Sequence, residues 1–228
     1  MKKIIILSIA SFLISTPVFA LATAQNLSTS DKITAKDFSC IFKSLNGLSE
    51  NLLKQHNTLY LRYVKKINEI NTKLESANKK EANAAYSEYR SLKIDRAFSN
   101  NGVVLHELYF ENLNSKPTAP SKEFLSKINK DFGSFDNYVS DLESSMKSTR
   151  NGWVVSVYNC LSKNIETYIF ESHDLHIPVN SKPLLVIDVW EHAYQIDYGI
   201  DKDSYIKAIF KNINWEVVSK RYSQSLRP

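Results

Sequence analysis

The sequence predicts an α+β fold in which a helical half, residues 45–114, is followed by an α+β half, residues 115–228. Three observations carry that reading. Apolar and ring-bearing residues recur three and four apart at Leu52, Leu53, His56, Tyr60, Tyr63, Ile67, Ile70 and Leu74, the period of a long amphipathic helix. Asn114-Ser115-Lys116-Pro117-Thr118-Ala119-Pro120 is the clearest linker in the chain. Beyond it the composition turns β-branched and aromatic at Trp153–Tyr158 and Ile165–Phe170, with a Ser-Lys-Asn turn between them, hence a hairpin.

The elements follow in order. Residues 1–24 read as a signal peptide: Lys2-Lys3, an apolar run from Ile4 to Leu13 too short to span a bilayer, and small residues offering cleavage after Ala20 or after Ala24. Export to a periplasm or outside the cell is expected, without a stable membrane anchor. Residues 25–44 form an extended N-terminal segment, polar and mobile up to 37. Ser49 caps the first helix. A second helical stretch runs from about Lys80 through Asp95 and is interrupted at Asn100-Asn101-Gly102. A third, Val103 to Leu113, is apolar on almost every side. After the linker, Ser121–Ile128 and Ser134–Thr149 read as helices. Pro183-Leu184-Leu185-Val186-Ile187 is a third strand. Helices at Tyr194–Tyr198 and Ser204–Ile209, then a stretch through Tyr222, close the chain.

Bulk properties exclude several classes. The formal charge of +5 falls to +3 once Lys2 and Lys3 leave with the signal peptide, too mild and scattered for a nucleic-acid partner. There is no Gly-rich phosphate loop and no G-x-S-x-G. Cys40 and Cys160 lack CxxC spacing; in an oxidising compartment they can pair or stay free.

The most specific feature is Asp188-Val189-Trp190-Glu191-His192-Ala193-Tyr194. It sets a carboxylate at a strand end and an imidazole four residues later, donors that suit manganese or iron. By spacing alone, a surface ion pair is the favoured reading. The full run, however, resembles the signature of the iron/manganese superoxide dismutases. The resemblance extends from Leu45 to about Tyr222. It includes Asn100–Leu113 around His106, Asp131-Phe132-Gly133-Ser134-Phe135, Asn151-Gly152-Trp153, and Tyr205–Trp215. It implies a long helical hairpin, then a three-stranded antiparallel sheet with flanking helices. It also implies one Mn or Fe ion per subunit, superoxide anion as substrate, and a homodimer.

Carried over residue by residue, the resemblance makes His106, Asp188 and His192 metal ligands. The family's first ligand is a histidine eight residues before a tyrosine in Y-V-x-x-x-N, which fits Tyr63-Val64-Lys65-Lys66-Ile67-Asn68. Here His56 precedes Tyr63 by seven, and strict alignment puts Gln55 at the ligand position. Loss of a one-residue helix bulge found in the family would return His56 to the face; Gln55 stays as the alternative. Tyr60 either lines the substrate funnel or packs in the core. Gly102 stands where some members carry a glutamine that holds metal-bound solvent. His173 matches the other place for that donor, with Tyr63 hydrogen-bonding to it; His176 is left as a loop histidine. A histidine there also titrates near neutral pH. Trp153, Trp190 and Phe110 are expected to wall the site. Glu191 is expected to reach a partner subunit's His192, with Tyr194 beside it. Lys54, Arg62 and Lys65 are candidates to steer the anion. The rival readings are a family-shaped protein that binds metal or a partner without dismutating superoxide, and a structural zinc site.

Overall fold

The computed structural model describes residues 32–227; the expected signal peptide and its cleavage points lie outside the described residues. Among the described residues, seven α-helices and three strands follow one another: α1 (Glu50–Ser76), α2 (Glu88–Glu111), α3 (Lys122–Phe132), α4 (Phe135–Ser148), β1 (Trp153–Asn159), β2 (Asn164–Phe170), β3 (Ser181–Asp188), α5 (Gln195–Tyr198), α6 (Lys202–Phe210) and α7 (Trp215–Ser225). This is the expected α+β fold, with α1 packed along α2 and the strands in the second half.

Helix starts are written in short polar side chains. Ser49, Ser87, Ser121 and Ser134 each accept a hydrogen bond from a main-chain N–H in the first turn of α1, α2, α3 and α4. Asp201 and Asn214 do the same for α6 and α7. The buried stripe of α1 is Leu52, Leu53, His56, Tyr60, Val64, Ile67 and Ile70. A histidine on such a stripe faces the core.

The second helix differs from expectation. Only Lys79–Glu81 makes a short 3-10 turn, and residues 82–87 are non-helical, folded around Asn83, whose carboxamide bonds the main chain of Glu81, Ala85 and Tyr86. From Glu88 the helix runs unbroken through Asn100-Asn101-Gly102 to Glu111. Tertiary contact overrides the local helix-breaking tendency there. A Cβ on Gly102 would lie 2.8 Å from the Tyr63 ring, so glycine is what lets α1 and α2 close.

The sheet is antiparallel with order β2-β1-β3. Its register decides the site, because Trp153 at the start of β1 stands opposite both Phe170 and Asp188. Gly152 makes that corner possible: at φ +142° a Cβ would sit 1.9 Å from the Phe170 carbonyl oxygen. Buried residues from both halves merge into one apolar cluster.

The N-terminal segment is pinned rather than mobile from Ile33 onward. The Asn68 carboxamide accepts from Ile33 N–H and donates to Ile33 C=O, the Tyr60 hydroxyl accepts from Lys36 N–H, and Phe38 and Phe42 are buried. Cys40 and Cys160 are not bonded to each other. No helix among the described residues is long and apolar enough to cross a membrane.

Candidate metal centre

Four elements deliver one donor cluster. His56 comes from α1, His106 from α2, Asp188 from the end of β3 and His192 from the 3-10 turn Glu191–Ala193 that follows. One donor atom from each lies within 4.8 Å of the others. Asp188 Oδ2 is the hub, 3.0 Å from His56 Nε2, 3.2 Å from His192 Nε2 and 3.9 Å from His106 Nε2. The first three residues are buried, and His192 keeps 30% of its side chain exposed. Gln55 points outward and bonds Asn51. Because α1 runs as an unbroken α-helix, seven residues carry His56 onto the buried face that Tyr63 borders.

The electrostatics favour neutral His56 and His106 imidazoles and a charged Asp188 carboxylate. Burial holds His56 below its ordinary value, and burial with the neighbouring His56 lowers His106 to about 3. Burial alone would raise Asp188, but the charge and hydrogen bond of His192, with the hydrogen bond from His56, outweigh it and hold the carboxyl low. The His106 tautomer is set by its Nδ1–H, which donates to Gly102 C=O at 2.6 Å. Its Nε2 lone pair is then buried without a partner. A bare imidazole nitrogen beside a buried carboxylate costs free energy unless something fills the gap. Donors ~2.1 Å from one cation lie ~3.0–4.2 Å apart, close to the separations here, so the residues fit a metal ion.

Two further hydrogen bonds hold Asp188. Its Oδ1 accepts from Trp190 N–H at 2.8 Å, and its main-chain carbonyl accepts from the Tyr205 hydroxyl at 2.6 Å. Tyr194 is buried and stacks on Tyr205. The expected wall is present: Trp153 edge-on to His106, Phe110 against His56, and Trp190 stacked by His192. Tyr109 also packs on His56 and was not expected there.

Tyr60 takes the core reading, with no exposed surface; its hydroxyl donates to Glu107 and accepts from Lys36 N–H. His173 is buried beside the cluster with Tyr63 as its expected partner, and its second partner differs from expectation, being Trp153. The Trp153 indole N–H donates to His173 Nδ1 at 2.9 Å, and His173 Nε2 lies 2.8 Å from the Tyr63 hydroxyl. Neither ring nitrogen is free for a metal-bound solvent. Burial lowers His173 to about 4, so it does not titrate near neutral pH. His176 is an exposed loop residue.

Asn101 donates to the His173 carbonyl at 2.9 Å, and Phe98 covers its ring at 4.5 Å. These helpers were legible only as an apparent helix break. A cleft of about 420 Å³ opens against Tyr63 and Phe98, with Leu59 and Ile70 in its wall and Arg62, Lys66 and Lys73 among its charged residues. Lys54 pairs with Glu50 instead, and Lys65 is not among the lining residues. Glu191 is exposed and forms no ion pair among the described residues.

A buried three-histidine, one-carboxylate cluster at the junction of a helical hairpin and a three-stranded sheet is a donor set that could hold a metal ion. Residues 120–221 match the family model for iron/manganese superoxide dismutases, C-terminal domain. The chain is 37% identical over 190 residues to "Superoxide dismutase [Fe]" of Aquifex pyrophilus, covering 81% of this chain and 89% of that protein. It is 31% identical over 193 residues to "Superoxide dismutase [Mn/Fe]" of Propionibacterium freudenreichii subsp. shermanii, covering 83% and 94%. It is 33% identical over 193 residues to "Superoxide dismutase [Mn]" of Mycobacterium lepraemurium, covering 82% and 89%. This chain belongs to the iron/manganese superoxide dismutase family.

Proposed function

We propose that the chain is an exported superoxide dismutase, an oxidoreductase that converts superoxide to dioxygen and hydrogen peroxide. The observation that carries this reading is the buried His56, His106, Asp188 and His192 cluster with its bare His106 Nε2. These four residues would hold one Mn or Fe per subunit, which when bound supplies one-electron cycling between two oxidation states. Three neutral imidazoles and one carboxylate leave a positive centre that attracts an anion. Phe110, Trp153 and Trp190 keep bulk water away from the donors, which strengthens that attraction. Tyr63 stands between the cleft and His106, and its hydroxyl is placed to hold a proton near the donors. Arg62 in the cleft is in position to steer superoxide toward it.

A symmetric homodimer completes the reading. His192 is the most exposed of the four donors, and Glu191 beside it is exposed, so a second copy can bring its own Glu191 to the outer ring nitrogen of His192. Lys2-Lys3 and the apolar run behind them support export.

The test is dismutation by the mature chain reconstituted separately with Mn and with Fe, alongside bound-metal content. Activity with at least one metal is expected, at one ion per subunit. Full metal occupancy without activity overturns the reading in favour of a metal-binding protein.

A further inference from the structure

We propose that Asp197 is a positioning residue for the metal centre: its carboxylate ties the start of α1, which carries His56, to the segment that carries His192. The inference rests on the reading that the cluster holds a metal ion and needs nothing about superoxide. His56 and His192 flank the same carboxylate oxygen, Asp188 Oδ2, at 3.0 and 3.2 Å, and their ring centroids are 4.9 Å apart. They arrive on elements remote in sequence, so their spacing depends on what fixes one element against the other. Asp197 lies five residues beyond His192 and meets Ser49, seven residues before His56. Its Oδ2 accepts from Ser49 N–H at 2.6 Å, and its Oδ1 accepts from the Ser49 hydroxyl at 2.6 Å. Hydrogen bonds this short to an ionised carboxylate are stronger than neutral ones.

The contact is built from both sides. With its proton on Asp197, the Ser49 oxygen keeps its lone pairs for Leu52 N–H, which donates to it at 3.1 Å. The carboxylate thus continues into the cap of α1, at the helix end that favours negative charge. Tyr198, next to Asp197, donates its hydroxyl proton to the Gly47 carbonyl. Gly47 has φ +78°, and a Cβ there would lie 3.0 Å from that hydroxyl and 3.2 Å from Ala208 Cβ, so glycine permits the approach. The Asn212 carboxamide accepts from Asn46 N–H and donates to Asn46 C=O, at 2.8 Å each. On the His192 side, main-chain bonds from Ala193 N–H to Trp190 C=O through Gly199 N–H to Gln195 C=O make one stiff unit. Ser49 stands ~10 Å from His56 along an unbroken helix, so a shift at the cap is carried to the ring. Asp197 acts through Ser49 and α1 and touches none of the donors.

Cobalt(II) is the probe, because its visible d–d bands report ligand geometry without turnover. The full chain and its Asp197→Ala variant are loaded with cobalt(II), and release to a chelator is timed beside the spectrum. Ser134→Ala removes the cap of α4, a helix that carries none of the donors, and serves as the reference for lost stability alone. Asp197→Ala is expected to release cobalt about tenfold faster than the wild type, with shifted bands. Ser134→Ala is expected to lower the urea midpoint and keep the wild-type rate and bands. Wild-type release with wild-type bands in Asp197→Ala overturns the proposal, as does equally fast release from Ser134→Ala.

A second arm decides if Asp197→Ala does not fold. Asp197→Asn keeps the shape and one acceptor but loses the charge, and release about threefold faster is expected. Combined with Ser49→Ala, it should release no faster than the more affected single variant, because both changes remove one contact. Wild-type release from Asp197→Asn, or losses that add in the double variant, overturn the proposal. A wild type that takes up no cobalt(II) overturns the metal-centre reading and the proposal with it. A wild type that binds while its variants behave alike overturns the proposal only, so the two failures are distinguishable.

Discussion

His106 shows how far a single atom can constrain the account. Its Nδ1 proton is committed to Gly102, its Nε2 is bare and buried, and the Asp188 carboxylate lies 3.9 Å away. His56 enters the same cluster although it stands one residue from the family's spacing, because an unbulged helix turns it onto that face. His56→Ala should therefore reduce metal affinity at least ~10-fold, whereas Gln55→Ala should leave metal content unchanged, read by metal analysis after dialysis. Equal losses in both would return Gln55 as the ligand. Gly102→Ala tests the packing beneath Tyr63. The added methyl meets the ring at 2.8 Å, and a stability loss of about 1–3 kcal/mol is expected in urea unfolding.

At the scale of elements, a charged clasp holds the helix that carries His106. Arg221 of α7 donates to the carbonyls of Leu108 and Leu184, to Asn112 and to Glu111; Lys36 reaches both Glu107 and Glu111. Burial alone would raise the Glu111 carboxyl, but hydrogen bonds from Lys36 and Arg221 outweigh it and hold it below 4.5. A carboxyl depressed in the folded state adds stability that is present above its unfolded value and lost as pH falls through its folded value. The urea midpoint of the wild type should thus fall more steeply below pH 4.5 than that of Glu111→Gln; parallel curves would remove Glu111 from the clasp.

Elements were also where the sequence was read best and worst. The Ser49 cap, helical stretches and β-branched runs placed α1, α3, α4 and the hairpin, because those signals are local. The continuity of α2 was hidden, since it depends on Tyr63 filling the space that Gly102 leaves. The Trp153 partner of His173 was hidden too. It comes from sheet register, which sets Trp153 beside residues 17 and 35 positions further along the chain. Asp188 and His192 were legible from the motif around them, whereas Tyr109 and Tyr205 looked like ordinary core.

For the whole molecule, the two halves share one apolar core, and the donor cluster lies where they meet. That arrangement ties metal retention to the intact fold and, in the proposed dimer, to the partner. Glu191→Ala should weaken dimerisation and lower metal affinity together, by ~10–100-fold for the metal, as followed by sedimentation velocity with metal analysis. A monomeric variant with full metal content would separate the two effects and sink the dimer argument.

The most direct test of the central claim, that four named donors hold one redox metal, is an anomalous-difference map of the metal-loaded protein recorded at the manganese or iron edge. One peak per subunit is predicted, about 2.0–2.3 Å from donor atoms of His56, His106, Asp188 and His192. A peak that excludes His56, or density for the metal anywhere else, would contradict it.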